Sequence, residues 1–266
     1  EMDLNLPRSA VDPVVRETRT AYRSLMGGGF ADLRRMPSEV IFDEPKCTVH
    51  RYEPTAPADP DALPVLLIPP MAATPVCFDL RRGCSMVEFL LDTGRPTYLV
   101  DYGDISTLRD QDLGLEFWID TVLPDAINSV LADSGARGVH LVGWCLGGIL
   151  EMFTAAAHPD LPIVSVTSVA SPFDFGKVRV LGPVRIMEDL TGGILTTGLV
   201  RALGGIPGRL NGLISRWLDP VKQIKKPLLQ LQSRDDPDTL AQIEAVDVLM
   251  DTMEAYPGRS ISQIYH

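Results

Sequence analysis

Residues 139–157 constrain the fold of this chain more than any other stretch. Val139-His140-Leu141-Val142 reads as a buried strand, and Gly143-Trp144-Cys145-Leu146-Gly147-Gly148 as a tight turn. The following residues, Ile149-Leu150-Glu151-Met152-Phe153-Thr154-Ala155-Ala156-Ala157, read as a helix. A reactive side chain flanked at two residues on either side by glycine, between a strand and a helix, is the pattern of a nucleophile elbow. Such a turn leaves no room for a Cβ at its flanking positions. It lifts the Cys145 sulfur above the sheet at the N-terminus of the next helix, where the aligned peptide dipoles favour the thiolate.

The other elements fit around that unit. Residues 9–26 have helical spacing and stop at Gly27-Gly28-Gly29. Residues 40–42 and 48–52 read as a strand pair across Pro45. Val65-Leu66-Leu67-Ile68 is a wholly apolar strand, as expected inside a parallel sheet, and it ends at Pro69-Pro70. A helix near residues 86–91, a strand at Thr97-Tyr98-Leu99-Val100 and a long helix over 113–131 follow, with Pro124 expected to kink or split the last. A sixth strand is expected at Ile163-Val164-Ser165-Val166-Thr167-Ser168-Val169. Strands alternating with helices predict an α/β class with a mostly parallel sheet covered on both faces. Sites in such sheets lie at the carboxyl ends of the strands, where both Cys145 and the Pro69-Pro70 loop fall. Beyond Ser171 the pattern changes: residues 184–218 are apolar but broken by glycine, and 240–253 are helical again. The division expected is an amino-terminal helical segment (1–39), a core with the elbow (40–175) and a helical cap (176–266).

Composition narrows the function classes. A chain of 266 residues, 45% hydrophobic, fits one domain, with room for an inserted subdomain. Its net charge of −11 argues against a general nucleic-acid or anionic-membrane surface. No run reaches the roughly 18 apolar residues of a membrane span. Cys47, Cys77, Cys84 and Cys145 show no metal-ligand spacing, and read as the reduced thiols of a cytoplasmic protein. No metal or cofactor is called for.

A free thiol is only a few per cent ionised at neutral pH, so a cysteine nucleophile wants a histidine and an orienting acid. His50 and His140 precede the elbow, and His158 lies about 20 Å along its helix. Only the last residue, His266, remains. One reading builds the triad within the chain: a strand at 227–232 leading to Asp235-Asp236, a helix at 240–255, and a strand at 260–265 delivering His266. The other makes all of this cap sequence. The oxyanion donors expected for an elbow are the N–H of Leu146 and an N–H near Met71 in the loop after the third strand; Met71 reads equally as a core methionine. Trp118 and Trp144 read as core aromatics. Arg81-Arg82 and Lys225-Lys226 read as solvated surface, with coenzyme A phosphates as the functional alternative.

Three segments carry a family resemblance: Pro64-Val65-Leu66-Leu67-Ile68-Pro69-Pro70, Phe78-Asp79-Leu80-Arg81 with Ser85-Met86-Val87, and Leu141-Val142-Gly143-Trp144-Cys145-Leu146-Gly147-Gly148. Together they resemble the poly(3-hydroxyalkanoate) synthase-like proteins of the α/β-hydrolase superfamily, over roughly residues 40–266. The resemblance implies an α/β-hydrolase fold, a thioester carried on Cys145, and an acid and base that come after the cap. It therefore favours the cap reading, with the last core strands and both triad partners expected beyond His266. Acyl-CoA or another acyl thioester is the implied partner, with a homodimer or a larger multidomain chain as the assembly. The turn Val100-Asp101-Tyr102-Gly103-Asp104 stands where such synthases carry a tryptophan-containing turn, so acyl transfer and thioester hydrolysis stand beside polymerisation. An esterase or lipase-like hydrolase on oxygen esters, and a non-catalytic acyl- or partner-binding domain, are the alternatives.

Overall fold

The computed structural model describes residues 29–57, 59, 61–105, 113–173, 205–206, 233, 236–253 and 256–265. The expected amino-terminal helix, most of the glycine-broken stretch, the alternative strand at 227–232, Lys225-Lys226, Asp235 and His266 lie outside them.

Six strands form one sheet: β1 (Ser38–Glu44), β2 (Cys47–Tyr52), β3 (Val65–Ile68), β4 (Thr97–Asp101), β5 (Val139–Trp144) and β6 (Ile163–Val169). Their order is β1-β2-β4-β3-β5-β6. β1 with β2 and β2 with β4 are antiparallel, and the remaining pairs are parallel. Every residue of β3 is buried, as a strand covered on both faces requires. This strand order, with helices on both faces, is the α/β-hydrolase fold expected from the sequence.

Alternate β3 residues feed two core clusters on opposite faces of the sheet. Val65 and Leu67 pack with Leu99 and with Val87 and Leu91 of α1 (Met86–Asp92). Leu66 and Ile68 pack with Leu141, with Leu123 and Ile127 of α2 (residues 115–134), and with Leu150 of α3 (Leu146–Ala157). Ser85 caps α1 by accepting the Glu88 N–H at 3.1 Å.

α2 corrects the expectation of a split at Pro124. It starts as Leu115–Phe117, widens to a π segment over Trp118–Val122, and continues as Leu123–Ser134. Proline has no N–H to donate and its ring crowds the carbonyl one turn back. The wider turn before Pro124 absorbs both, and the helix continues to Gly135 in the left-handed region. Trp118, on the π segment, is fully buried, as expected; Trp144 is only partly buried at the end of β5.

Two later helices lie against this core. α4 (Pro237–Asp251) is tied to the loop after β3: Arg81 donates to Asp238 at 2.8 Å and to Gln242 at 3.0 Å. α5 (Gly258–Tyr265) is tied to the start of α2, since Ser260 Oγ accepts from Trp118 Nε1 at 3.0 Å and donates to the Leu113 carbonyl at 2.9 Å. Residues 260–265, a strand in the alternative reading, are helical; the bond from Trp118 to Ser260 and that from the Leu115 N–H to Gln263 Oε1 hold them so. One short antiparallel pair, β7 (Gly205–Ile206) with β8 (Tyr256–Pro257), lies within the stretch expected to be mostly helical.

Candidate active site

β5 delivers Cys145 to the carboxyl edge of the parallel strands, and α3 departs from it at once. Cys145 has φ 53° and ψ −116°, a region non-glycine residues rarely occupy, at a cost of about 1–3 kcal/mol. Neighbours hold it there. Its N–H donates to the Val169 carbonyl at 2.8 Å, and its carbonyl accepts from Gly148 N–H at 3.1 Å.

Close backbone approach explains the glycines. A Cβ on Gly143 would lie 2.5 Å from Gly148 N and 2.7 Å from the Glu151 carboxyl carbon. One on Gly147 would collide with the Ile68 carbonyl oxygen and lie 2.7 Å from that of Pro69. The first turn of α3 thus rests directly on the end of β3. Met71, in the loop that follows β3, and Leu146 belong to the same core cluster. Met71 is fully buried, and the Ala73 N–H closes a turn onto the Pro70 carbonyl at 2.9 Å. The Tyr102 hydroxyl donates to the Pro69 carbonyl at 3.1 Å and steadies the same loop.

The thiol itself differs from the sequence expectation. Burial raises the Cys145 pKa above the ordinary thiol value, and the Leu146 N–H, which hydrogen-bonds the sulfur, offsets this only in part. The helix terminus is present as expected, but desolvation is the larger effect.

Each described histidine is engaged elsewhere. His50, on β2 and about 14 Å across the sheet, faces Asp101 at 3.9 Å. His140, roughly 16 Å down β5, hydrogen-bonds Ser165 Oγ at 2.7 Å. His158, at the far end of α3, meets Asp120 at 3.0 Å. Asp236 caps α4 by accepting Thr239 N–H at 3.1 Å. Among the described residues, no histidine or carboxylate hydrogen-bonds the Cys145 sulfur. The four cysteines are unpaired thiols.

Two features escaped the sequence reading. Arg81 and Arg82 are internal ties, not solvated surface. Arg81 is 8% exposed and anchors α4, and Arg82 pairs with buried Asp79. Asp79 also accepts Met36 N–H at 2.6 Å and Ser85 Oγ at 2.7 Å, so the Asp-Leu-Arg-Arg step forms a charged knot. The second is Glu151, fully buried under the elbow, with Ser168 Oγ at 2.9 Å. Its one signal in the sequence is an acid alone within an otherwise apolar helical run.

No family model matches the chain. It is 25% identical over 226 residues to the poly(3-hydroxyalkanoate) polymerase subunit PhaC of Thiocystis violacea, covering 82% of this chain and 62% of that protein. It is 29% identical over 187 residues to the PhaC subunit of Synechocystis sp., covering 70% of this chain and 49% of the relative. The chain therefore spans about half to three fifths of these relatives' length. Among solved structures, a Bacillus licheniformis lipase in mature form aligns at 17% identity and TM-score 0.39, over 47% of this chain and 46% of that one. Naproxen esterase from Bacillus subtilis aligns at 18% and 0.33, over 58% and 47%. The sequence is PhaC-like, and the sheet is that of an α/β-hydrolase.

Proposed function

We propose that the chain is an acyltransferase or thioesterase of the polyhydroxyalkanoate-synthase kind, acting on acyl-CoA-type thioesters through an acyl-Cys145 intermediate. The observation that carries this reading is Cys145 itself: a strained cysteine at the elbow of an α/β-hydrolase sheet, in a sequence similar to PhaC polymerase subunits over 82% of its length.

The chemistry needs two halves. In the first, the Cys145 thiol gives its proton to a base and the sulfur attacks the thioester carbonyl. The carbonyl electrons move to oxygen, which accepts from the N–H groups of Leu146 and Met71. Collapse breaks the bond to coenzyme A, whose sulfur takes up the proton. In the second, an acceptor hydroxyl or water attacks the acyl-cysteine, loses its proton to the base, and leaves the acyl group as ester or acid; the Cys145 thiol is restored. Leu146 and Met71 are supported as donors by the seat of Gly147 on the end of β3. The described residues do not include the base.

A second reading is favoured by two observations. Burial disfavours the Cys145 thiolate, and the three described histidines have other partners. These facts suit a domain that binds an acyl group or a partner and does no chemistry of its own.

Incubation with a 3-hydroxyacyl-CoA, followed by mass analysis of the peptide spanning the elbow, separates the readings. An acyl adduct on Cys145, absent in Cys145→Ala, supports the acyl-enzyme. Bound thioester recovered intact, with no adduct, supports the binding domain. Hydrolysis of oxygen esters with no reaction at thioesters would replace both by an esterase.

A further inference from the structure

Behind the elbow lies a polar cluster that the proposed chemistry does not use. Glu151 projects from the second turn of α3 and is fully buried. Its carboxyl carbon lies 2.7 Å from where a Cβ on Gly143 would be, so it packs into the space that the first elbow glycine leaves. Oε1 meets Ser168 Oγ at 2.9 Å, while Oε2 has no hydrogen-bond partner among the described residues. Ser168 Oγ also lies 3.2 Å from the Gly148 carbonyl. Ser171 Oγ, buried and without a hydrogen-bond partner among the described residues, would collide with a Cβ on Gly148. Gly143 and Gly148 bracket Cys145, and Ser168 pairs in register with Gly143 across β5 and β6.

We infer that Glu151 is a positioning residue for Cys145: through Ser168 its carboxyl locks the first turn of α3 against β6 and so fixes the elbow. This deepens the reading of Cys145 as the nucleophile and rests on it.

Hydrogen counting gives the device two states. Ser168 Oγ has one hydrogen and two acceptors within reach. With a neutral carboxyl, the acid O–H donates to Ser168 and Ser168 donates to the Gly148 carbonyl, a continuous relay from α3 to β6 and back. With a carboxylate, the Ser168 hydrogen must turn to Oε1, and the link to Gly148 is released. Burial pushes Glu151 up to about 7, opposed only by hydrogen bonds from Ser168 and the Gly143 N–H. Among the described residues, the other titratable groups around it supply no compensating charge: on β5 there is His140, paired with Ser165. β6 carries none. From the turn after β4 comes Tyr102, buried, with its phenol held protonated by desolvation. From α2 come Asp120, facing His158, and Glu116, facing Arg259. α3 itself begins at the Cys145 thiol and ends at His158.

The test measures the thiol, not turnover. The intact chain, Glu151→Gln and Glu151→Met are alkylated with iodoacetamide between pH 5.5 and 9, and the rate at Cys145 is read from the mass of its peptide. Exposed Cys84 in the same sample is the control. Wild type should show a second inflection near pH 7, reacting more slowly above it than Glu151→Gln by about threefold or more, because a carboxylate opposes thiolate formation. Below pH 6, Glu151→Gln should match wild type, since its amide also donates to Ser168. Glu151→Met keeps the volume but not the bond, so it should react about threefold more slowly at pH 6 as the Leu146 contact to sulfur loosens. If Glu151→Met does not fold, Ser168→Ala serves as the bond-deleting variant with the same expected slowing. Superimposable profiles for wild type and Glu151→Gln overturn the inference, as does a bond-deleting variant that reacts like wild type at pH 6. Acyl adducts with superimposable profiles would remove the role of Glu151 and leave the acyl-enzyme standing; a missing adduct with the expected profiles would do the reverse.

Discussion

Two buried carboxyl groups, Asp79 in the loop after β3 and Glu151 on α3, are satisfied in opposite ways. Asp79 has a guanidinium partner in Arg82 and also accepts from Met36 N–H and Ser85 Oγ. Glu151 has Ser168, a backbone N–H and one bare oxygen. The first group is a charged fastener: it joins the chain before β1, the loop, the cap of α1 and, through neighbouring Arg81, α4. The second has little to hold a charge, and its place is the one where backbone meets backbone under Cys145. A buried acid with a cation beside it ties elements together; a buried acid without one is sensitive to pH, and here it lies against the strained turn.

Removing the fastener should cost most. Asp79→Ala leaves the Met36 N–H and a largely buried Arg82 without their acceptor, and among the described residues Arg82 Nε and Nη1 already lack hydrogen-bond partners, with Glu88 facing Nη1 only at 3.9 Å. Loss of one member of a buried pair costs about 3–5 kcal/mol. Chemical denaturation should show that loss, with Arg81→Ala milder because its partner Asp238 is exposed. An Asp79→Ala chain as stable as wild type would erase the contrast between the two acids.

Glu151 gives the next largest effect, with a defined sign. Its folded pKa of about 7 lies above the ordinary glutamate value near 4.5, so the folded state holds a proton that the unfolded state releases in between. Stability should therefore fall as pH rises from about 4.5 through 7, by about 3 kcal/mol in all, and level off above. Glu151→Gln cannot ionise and should lack this slope. Denaturation midpoints of both chains at pH 5 and pH 8 give the difference directly. Parallel pH curves would mean that Glu151 finds a partner when it ionises.

How much of this was legible in the sequence follows the same division. The elbow is local: glycine spacing, one cysteine and a strand-to-helix switch all lie within a dozen residues, so residues 139–157 could be read before any coordinates. The strands β3, β4 and β6 were legible for the same reason, as short β-branched or apolar runs. The Asp79 knot was not, because its partners lie at Met36, Ser85 and, through Arg81, at Asp238 and Gln242, which only the fold brings together. Two adjacent arginines on an acidic chain look solvated until a buried aspartate faces one of them. Pro124 showed where α2 would be disturbed but not how, since a helix can widen a turn as well as break. The thiol's raised pKa was hidden because the dipole is local and visible, whereas desolvation depends on everything packed around the elbow.

The elbow side of the comparison is sharpened by Gly147→Ala. The added methyl would meet two carbonyl oxygens at the end of β3, which are backbone and have little freedom to move. Overpacking of this kind costs about 1–3 kcal/mol. Its second effect should be specific: lifting the first turn of α3 off β3 separates Leu146 from the Met71 loop, so adduct formation on Cys145 should fall more than stability does. Equal retention of both would mean that the two N–H groups do not act together.

The smallest effect belongs to a third acid, Asp236, which does in solvent what Asp79 does in the interior. Its Oδ1 accepts Thr239 N–H at 3.1 Å and its Oδ2 accepts Thr239 Oγ1 at 2.7 Å, capping α4 just before the Asp238 that anchors Arg81. These bonds, the side-chain one first, hold its carboxyl below the usual carboxylate range. A depressed folded pKa gives stability that is present above the unfolded value, near 3.9, and lost as pH falls through the folded one. Asp236→Ala should thus melt slightly below wild type at pH 7, and the gap should narrow below about pH 4. Because α4 touches the loop through Arg81, the same variant should loosen that contact without touching Glu151. Combined with Glu151→Gln, its effect should simply add, as independent sites do; combined with Arg81→Ala, it should not. Non-additivity with Glu151→Gln would join the two carboxyl systems into one.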